Sequence, residues 1–284
     1  MRAGDADEAG GGGVTRNRDP AVLTAPAKLT SQLRITGRRD HGYHLLQAEM
    51  VTVDLCDGLE IIGGVPTSVE VVDDVDWVGG VVGAGQPGAG QAGPNLVEVA
   101  LAAAGRTARV RLTKRIPAGA GLGGGSSDAA AVLRWAGCRD LGVAARIGAD
   151  VPFCVSGGRA NVGGIGEVVE PLDHEEAEYL LVVPKLHVST PAVYSAWDTL
   201  GGPRGEHGND LEPAALVAEP RLAWWRDLIA DVAGERPSLA GSGGTWWLES
   251  EHNRLSEVER HLVAAIVAEG ESALVKLVRA VPAY

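Results

Sequence analysis

The sequence predicts an α+β fold in two domains that meet near residue 165, on three observations. The segment Ala108-Arg-Val-Arg-Leu-Thr-Lys-Arg-Ile116 sets Val110, Leu112 and Ile116 between basic or hydroxyl residues. That alternation describes a strand with one solvated face, whereas the strands of a doubly wound fold are buried on both faces and run continuously apolar. The same strand feeds a glycine-rich loop and then an alanine-rich, helix-forming stretch. With 284 residues, 45% of them apolar, the chain is also long enough for two modest cores.

In order along the chain, Met1 to Pro20 is acidic, polar and glycine-rich and reads as a disordered tail with no apolar signal segment. Residues 21–165 form the first domain. Leu29–Thr36 reads as a strand, Arg38-Arg-Asp-His-Gly42 as a turn, and Ala48–Leu55, Leu59–Ile62 and Ser68–Val72 as further strands. Gly79–Pro94 is a glycine-rich loop for which mobility is expected. Asn95–Ala104 has helical character, Ala129–Trp135 and Leu141–Ile147 follow as helices, and Phe153–Val155 reads as a strand. Residues 166–284 form the second domain. Its strand signals lie at Tyr179–Val183 and near Trp246 and Ala273, and its helices at Pro191–Leu200, Pro220–Val232 and His252–Glu269.

Pro117-Ala-Gly-Ala-Gly-Leu-Gly-Gly-Gly-Ser-Ser127 is the most informative stretch. Five glycines in seven positions leave backbone N–H groups free to close around an anion, and the helix that follows presents its positive dipole end. Gly119, Gly121 and Gly124 satisfy the dinucleotide fingerprint G-x-G-x-x-G, but the alternating strand before them argues against an NAD-binding domain. No G-x-x-x-x-G-K-[ST] occurs, which excludes a Walker-type loop. A flexible linker would not end in Ser-Ser-Asp and a helix-forming run.

The formal net charge of −12 argues against nucleic acid as a partner, because a phosphate backbone needs a basic surface. Cys56, Cys138 and Cys154 lie far apart without Cys-x-x-Cys spacing, which disfavours a disulfide framework or zinc site and fits a reducing cytoplasm. No stretch approaches the ~18 apolar residues of a membrane span.

Several other residues carry weaker signals. Lys28 in Ala25-Pro-Ala-Lys-Leu reads, alone, as a solvated charge. Asp150 in Gly148-Ala-Asp-Val-Pro-Phe is a helix cap or a carboxylate in a partly desolvated pocket. Tyr43 and His44 supply an aromatic face and an imidazole, and Tyr43 by itself is better read as core. Gly241-Ser-Gly-Gly-Thr245 suits a plain turn as well as a close approach to phosphate.

Together these blocks resemble the 4-diphosphocytidyl-2-C-methyl-D-erythritol kinase family, within the galactokinase, homoserine kinase, mevalonate kinase and phosphomevalonate kinase (GHMP) superfamily. The resemblance rests on Ala25-Pro-Ala-Lys28, Gly37-Arg-Arg-Asp-His-Gly-Tyr-His44, Lys114 through Ala130, Gly148–Phe153, Val188-Ser-Thr-Pro-Ala-Val-Tyr194, Asn209-Asp-Leu-Glu-Pro213 and Gly241–Thr245, in family order. It implies a first domain like that of ribosomal protein S5 and a ferredoxin-like second domain, and phosphorylation by ATP of the 2-hydroxyl of the cytidine-diphosphate methylerythritol. In that role Pro117, Ala118, Gly119, Ala120, Gly121, Leu122, Gly123, Gly124, Gly125, Ser126 and Ser127 would wrap the ATP phosphates, with Mg²⁺ bridging phosphate oxygens and no protein carboxylate assigned to it. Asn95 would help line the nucleotide pocket. Asp150 would be the general base, with Lys28 beside it. Tyr43 and Tyr194 would sandwich the cytosine and His44 would hydrogen-bond its edge. Thr30, on the substrate side, stands where the family carries asparagine, and the segment from Asp128 to Gly148 is several residues shorter than the family's helical pair. The implied partner is the small-molecule substrate, with neither nucleic acid nor membrane; monomer and homodimer stay open. Another GHMP small-molecule kinase, or a non-catalytic nucleotide-binding relative, are the alternatives.

Overall fold

A computed structural model describes residues 20–39, 42–79 and 94–284. All but Pro20 of the expected tail, Asp40 and His41 of the expected turn, and the glycine-rich loop between Gly79 and Pro94 lie outside the described residues. The chain is a mixed α+β structure built on two sheets.

The first sheet begins with two long strands, β1 (Ala21–Arg38) and β2 (His44–Gly63), paired antiparallel. The segments read separately as Ala48–Leu55 and Leu59–Ile62 thus form one continuous strand. Strand β3 (Ser68–Asp73) runs parallel to β4 (Ala108–Lys114), joined through helix α1 (Leu96–Ala103). β4 buries Ala108, Val110 and Leu112 and exposes Arg109 and Arg111, as its alternation requires. Helices α2 (Gly124–Trp135), α3 (Leu141–Ile147) and α4 (Val151–Ser156) follow, then β5 (Arg159–Gly164) and β6 (Val168–Leu172). The order is β3-β4-β2-β5-β6, with β1 lying on β2. Pro26 is tolerated in β1 because β2 is the one described strand that β1 pairs with there.

The second sheet contains β7 (Glu178–Pro184), β8 (Ser238–Leu239), β9 (Trp246–Glu249) and β10 (Ala273–Arg279), in the order β10-β7-β9-β8 and antiparallel throughout. Helices α5 (Thr190–Thr199), α6 (Glu212–Ala218) and α7 (Arg221–Ala233) precede β8, and α8 (His252–Ala268) precedes β10.

Side-chain alternation stacks the molecule in layers. Along β7, Leu180 and Val182 join the core beneath the second set of helices, while Tyr179, Leu181 and Val183 face the other way. There they meet Ala27 and Leu29 of β1 and Val51, Val53 and Leu55 of β2. The opposite face of the first sheet packs Met50, Leu59, Ile61 and Val110 against α1, α2, α3 and α4. The two sheets therefore lie face to face, with helices outside both.

Long-range segments finish the first sheet. Leu33 of β1 bridges to Asn209, and residues 280–284 strap across β2, with Val53 bridging Ala280 and Val281 N–H donating to Thr52 O at 2.9 Å. The Tyr284 ring then lies under the Arg134 guanidinium, 3.8 Å from it.

One expectation fails: Phe153–Val155 is not a strand but the middle of α4. Pro152 in the first turn pre-sets helical φ, and the apolar run is buried all round, so its period could not distinguish helix from strand.

Candidate active site

The glycine loop leaves β4 along the seam between the two sheets. Ala120 and Leu122 point into the inter-sheet core while Ala118 and Gly119 stay exposed, so alternate residues anchor the loop and leave its backbone accessible. Gly123, at φ +67°, caps α2 without a side-chain hydrogen bond. The first amides of α2 therefore have neither an intrahelical carbonyl nor a side-chain partner at the loop's mouth, the arrangement that binds phosphate. Ser127 does not open toward that mouth, because its buried hydroxyl donates to Pro26 O at 2.6 Å and ties α2 to β1.

Pro26 and Lys28 flank a break in the β1–β2 register. Such a bulge re-aims the side chain beside it, and here it sends Lys28 under the loop. Lys28 N–H donates to Leu122 O at 3.0 Å, and any Cβ on Gly123 would sit 2.7 Å from Lys28 Cγ. The ammonium is 7% exposed; it donates to Thr30 Oγ1 at 3.0 Å and lies 3.4 Å from Asp150 Oδ2. Thr30 thus holds the lysine. Asp150 occupies the N-cap position of α4 yet makes no capping bond, so its carboxylate serves the lysine instead of the helix. Burial, reinforced by the Asp150 charge, pushes the nearby Tyr194 hydroxyl up to about 12.

A second loop seals the first from the other sheet. Thr245 Oγ1 donates to Ala120 O at 2.7 Å, and Asn209 Nδ2 donates to Leu239 O and Gly241 O at 2.9 and 2.7 Å. Gly241 lies over Thr30, and Thr190 and Ser242 hydroxyls meet at 3.0 Å. His187, which the sequence reading passed over, stands beside Gly119.

Farther along the seam His44 is 9% exposed, stacked on Tyr194 at 4.9 Å and met edge-on by Trp197 at 5.4 Å. Its Nε2 lies 2.8 Å from Asp198 Oδ1. Tyr43, next to it in the chain, is 61% exposed and so is not the core residue that its sequence alone suggests.

Known proteins share this chain's sequence and fold over most of its length. Residues 95–158 match the family described as GHMP kinases N terminal domain. The chain is 36% identical over 240 residues to the 4-diphosphocytidyl-2-C-methyl-D-erythritol kinase of Paracoccus denitrificans, covering 78% of this chain and 84% of that protein. The chain belongs to the 4-diphosphocytidyl-2-C-methyl-D-erythritol kinase family. The kinase of that name from Xanthomonas euvesicatoria is 41% identical over 266 residues, 82% of this chain and 83% of that one. A solved 4-(cytidine 5'-diphospho)-2C-methyl-D-erythritol kinase superposes with a TM-score of 0.66 at 26% identity, over 91% of this chain and 99% of that structure. A homoserine kinase from Cytophaga hutchinsonii shares the fold at a TM-score of 0.60 and 16% identity, over 97% of this chain and 98% of that one.

Beneath the loop of this family member lies a charge cluster that no local motif announced. Lys114, at the end of β4, pairs with Asp57 and with Asp128 of α2, the latter at 2.6 Å. Asp57 also accepts the Arg115 and Ile116 amides at 2.5 and 2.9 Å. Asp128 keeps Oδ1 unpartnered, and burial, reinforced by the neighbouring Asp57, pushes its carboxyl up to about 7 against the pull of Lys114. Asn95 caps α1 by accepting from Val97 N–H at 3.0 Å. Among the described residues no cluster of three or more His, Cys, Asp or Glu could hold a metal ion, and no helix is long and apolar enough to cross a membrane.

Proposed function

We propose that this chain transfers the terminal phosphoryl group of ATP to the 2-hydroxyl of 4-(cytidine 5'-diphospho)-2-C-methyl-D-erythritol. The observation that carries the reading is the Lys28–Asp150 pair, seated on an uncapped helix end and pressed against the glycine loop. Phosphoryl transfer needs positioning and charge neutralisation more than covalent chemistry from the protein.

The amides of Gly124, Gly125 and Ser126 would hold phosphate oxygens at the positive end of α2. Mg²⁺, carried on the phosphates, would neutralise the charge that develops on them. The fit is to phosphate rather than to a protein-bound cation, since Asp128, the acidic group of α2, is taken up by Lys114. Asp150 would take the proton from the acceptor hydroxyl as the new O–P bond forms and the bond to the ADP oxygen breaks. Lys28, held by Thr30, would keep that carboxylate in place and lend positive charge to the transferring group. Tyr194 joins the two ends of the site, near Asp150 on one side and stacked on His44 on the other, which supports His44, Tyr194 and Tyr43 as the cytosine-binding residues.

A two-domain division belongs to the same reading, but with its boundary moved from residue 165 to between Leu172 and Glu178, because β6 pairs with β5 in the first sheet. The order β10-β7-β9-β8 supports a ferredoxin-like second domain, and the first sheet with its helices an S5-like first one. The test is ADP release from ATP and Mg²⁺ with and without the cytidyl substrate. Substrate-dependent ADP is expected; ADP that never responds to that substrate would overturn the assignment.

A further inference from the structure

Tyr194, Trp197 and Asp198 share one face of α5, and all three converge on His44. The two rings fix the plane of the imidazole, and the carboxylate fixes what its nitrogens do. An ionised carboxylate only accepts, so the imidazole must present Nε2–H to Asp198 Oδ1 at 2.8 Å. Arg38 Nη1, 3.5 Å from Asp198 Oδ2, balances the carboxylate charge from its far side. In the neutral ring this leaves Nδ1 as a lone-pair acceptor, and no described residue makes a hydrogen bond to it.

We propose that Asp198 is a positioning residue that holds His44 with Nδ1 bare, so that the site selects a pyrimidine carrying an exocyclic amino group over one carrying a carbonyl. The inference rests on His44 meeting the base, as argued above. The 4-amino group of cytosine donates to such a nitrogen, whereas the 4-oxygen of uracil sets lone pair against lone pair. A buried polar group left facing the wrong partner discriminates far more than a lost apolar contact does. Sequence alone hides this arrangement, because Asp198, on α5, and His44, at the start of β2, are remote in the chain.

Equilibrium binding of CDP and UDP to the full chain, with a saturating non-hydrolysable ATP analogue occupying the nucleotide site, tests the proposal. Wild type is expected to hold CDP at least about tenfold more tightly than UDP, and Asp198→Ala to reduce that ratio to about threefold or less with ATP-analogue affinity unchanged. Nitrogen chemical shifts of His44 are expected to show Nε2 protonated and Nδ1 bare in wild type, and a mixture of tautomers in Asp198→Ala. A wild type that selects CDP, with the ratio preserved in Asp198→Ala, would overturn the role of Asp198 and leave the cytosine reading intact. A wild type indifferent to CDP and UDP would overturn both. If the variant no longer binds the ATP analogue, the wild-type spectrum decides: a protonated Nδ1 overturns the proposal.

Discussion

Gly121 and Gly243 meet backbone to backbone, so closely that a Cβ on Gly121 would sit 2.7 Å from the Gly243 Cα. Gly121 is also at φ +82°, where side chains are rarely accommodated. The contact locks the phosphate-loop candidate to the loop before β9, making a join between the two sheets out of two missing side chains. Gly243→Ala forces backbone apart and should destabilise by about 2 kcal/mol, lowering Tm by roughly 5 °C. Thermal unfolding with and without ATP checks this. The variant is expected to lose most of the ATP-induced stabilisation as well as stability itself.

Asp150→Asn should lower turnover by about 10³-fold with ATP affinity nearly unchanged, because the amide cannot take the acceptor's proton. Lys28→Met should cost about 10²-fold by the same ADP-release assay, and it leaves Thr30 Oγ1 without its donor. Wild-type turnover in Asp150→Asn would remove the carboxylate from its role as base.

His44→Ala should raise KM for the cytidyl substrate by about tenfold or more while KM for ATP stays constant. Steady-state kinetics with each substrate varied in turn separates the two. Equal effects on both would mean that His44 supports the fold of the seam rather than the base.

The buried cluster under the loop should leave a mark on pH stability. Asp128 is raised from 3.8 to about 7 in the folded protein, so the folded chain binds a proton that the unfolded chain releases between those values. Wild type therefore loses stability as pH rises across that window, relative to a variant that cannot ionise there. Asp128→Asn, with Lys114 still paired to Asp57, should match wild type near pH 4 and become progressively more stable than it up to pH 8. Melting temperatures across that range check the sign; a constant offset between the two proteins would show that Asp128 does not titrate there.

Much of this was legible in the chain because the residues concerned act through local chemistry. The glycine run and Ser126 announce a helix end without a side-chain cap, and β4 declares its solvated face by alternation. The helical reading of Pro191–Leu200 corresponds to α5, where Ser189 Oγ accepts the Ala192 amide. Other elements depend on partners far away. β5, Arg159-Ala-Asn-Val-Gly-Gly, has weak strand propensity, and its pairing with Leu46–Val51 of β2 decides its conformation. α6 follows Leu211, an N-cap without a capping side chain, and its stability comes from burying Ala214 and Ala215 in the second core. Asp150 was ambiguous in sequence because the N-cap position and a site carboxylate look alike; only its missing capping bond and its distance to Lys28 separate them. Asp57, Lys114 and Asp128 fall on three different elements, so nothing in their spacing could join them.

The strap formed by residues 280–284 gives the molecule an order of assembly. Every strand of the first sheet is synthesised before residue 173, yet Leu33 waits for Gly208 and Asp210, and Thr52 and Arg134 wait for Val281 and Tyr284. A nascent chain stalled before residue 280 therefore carries the glycine loop and its helix with α2 still open at Arg134. The half of the protein that is translated first is the half that is finished last.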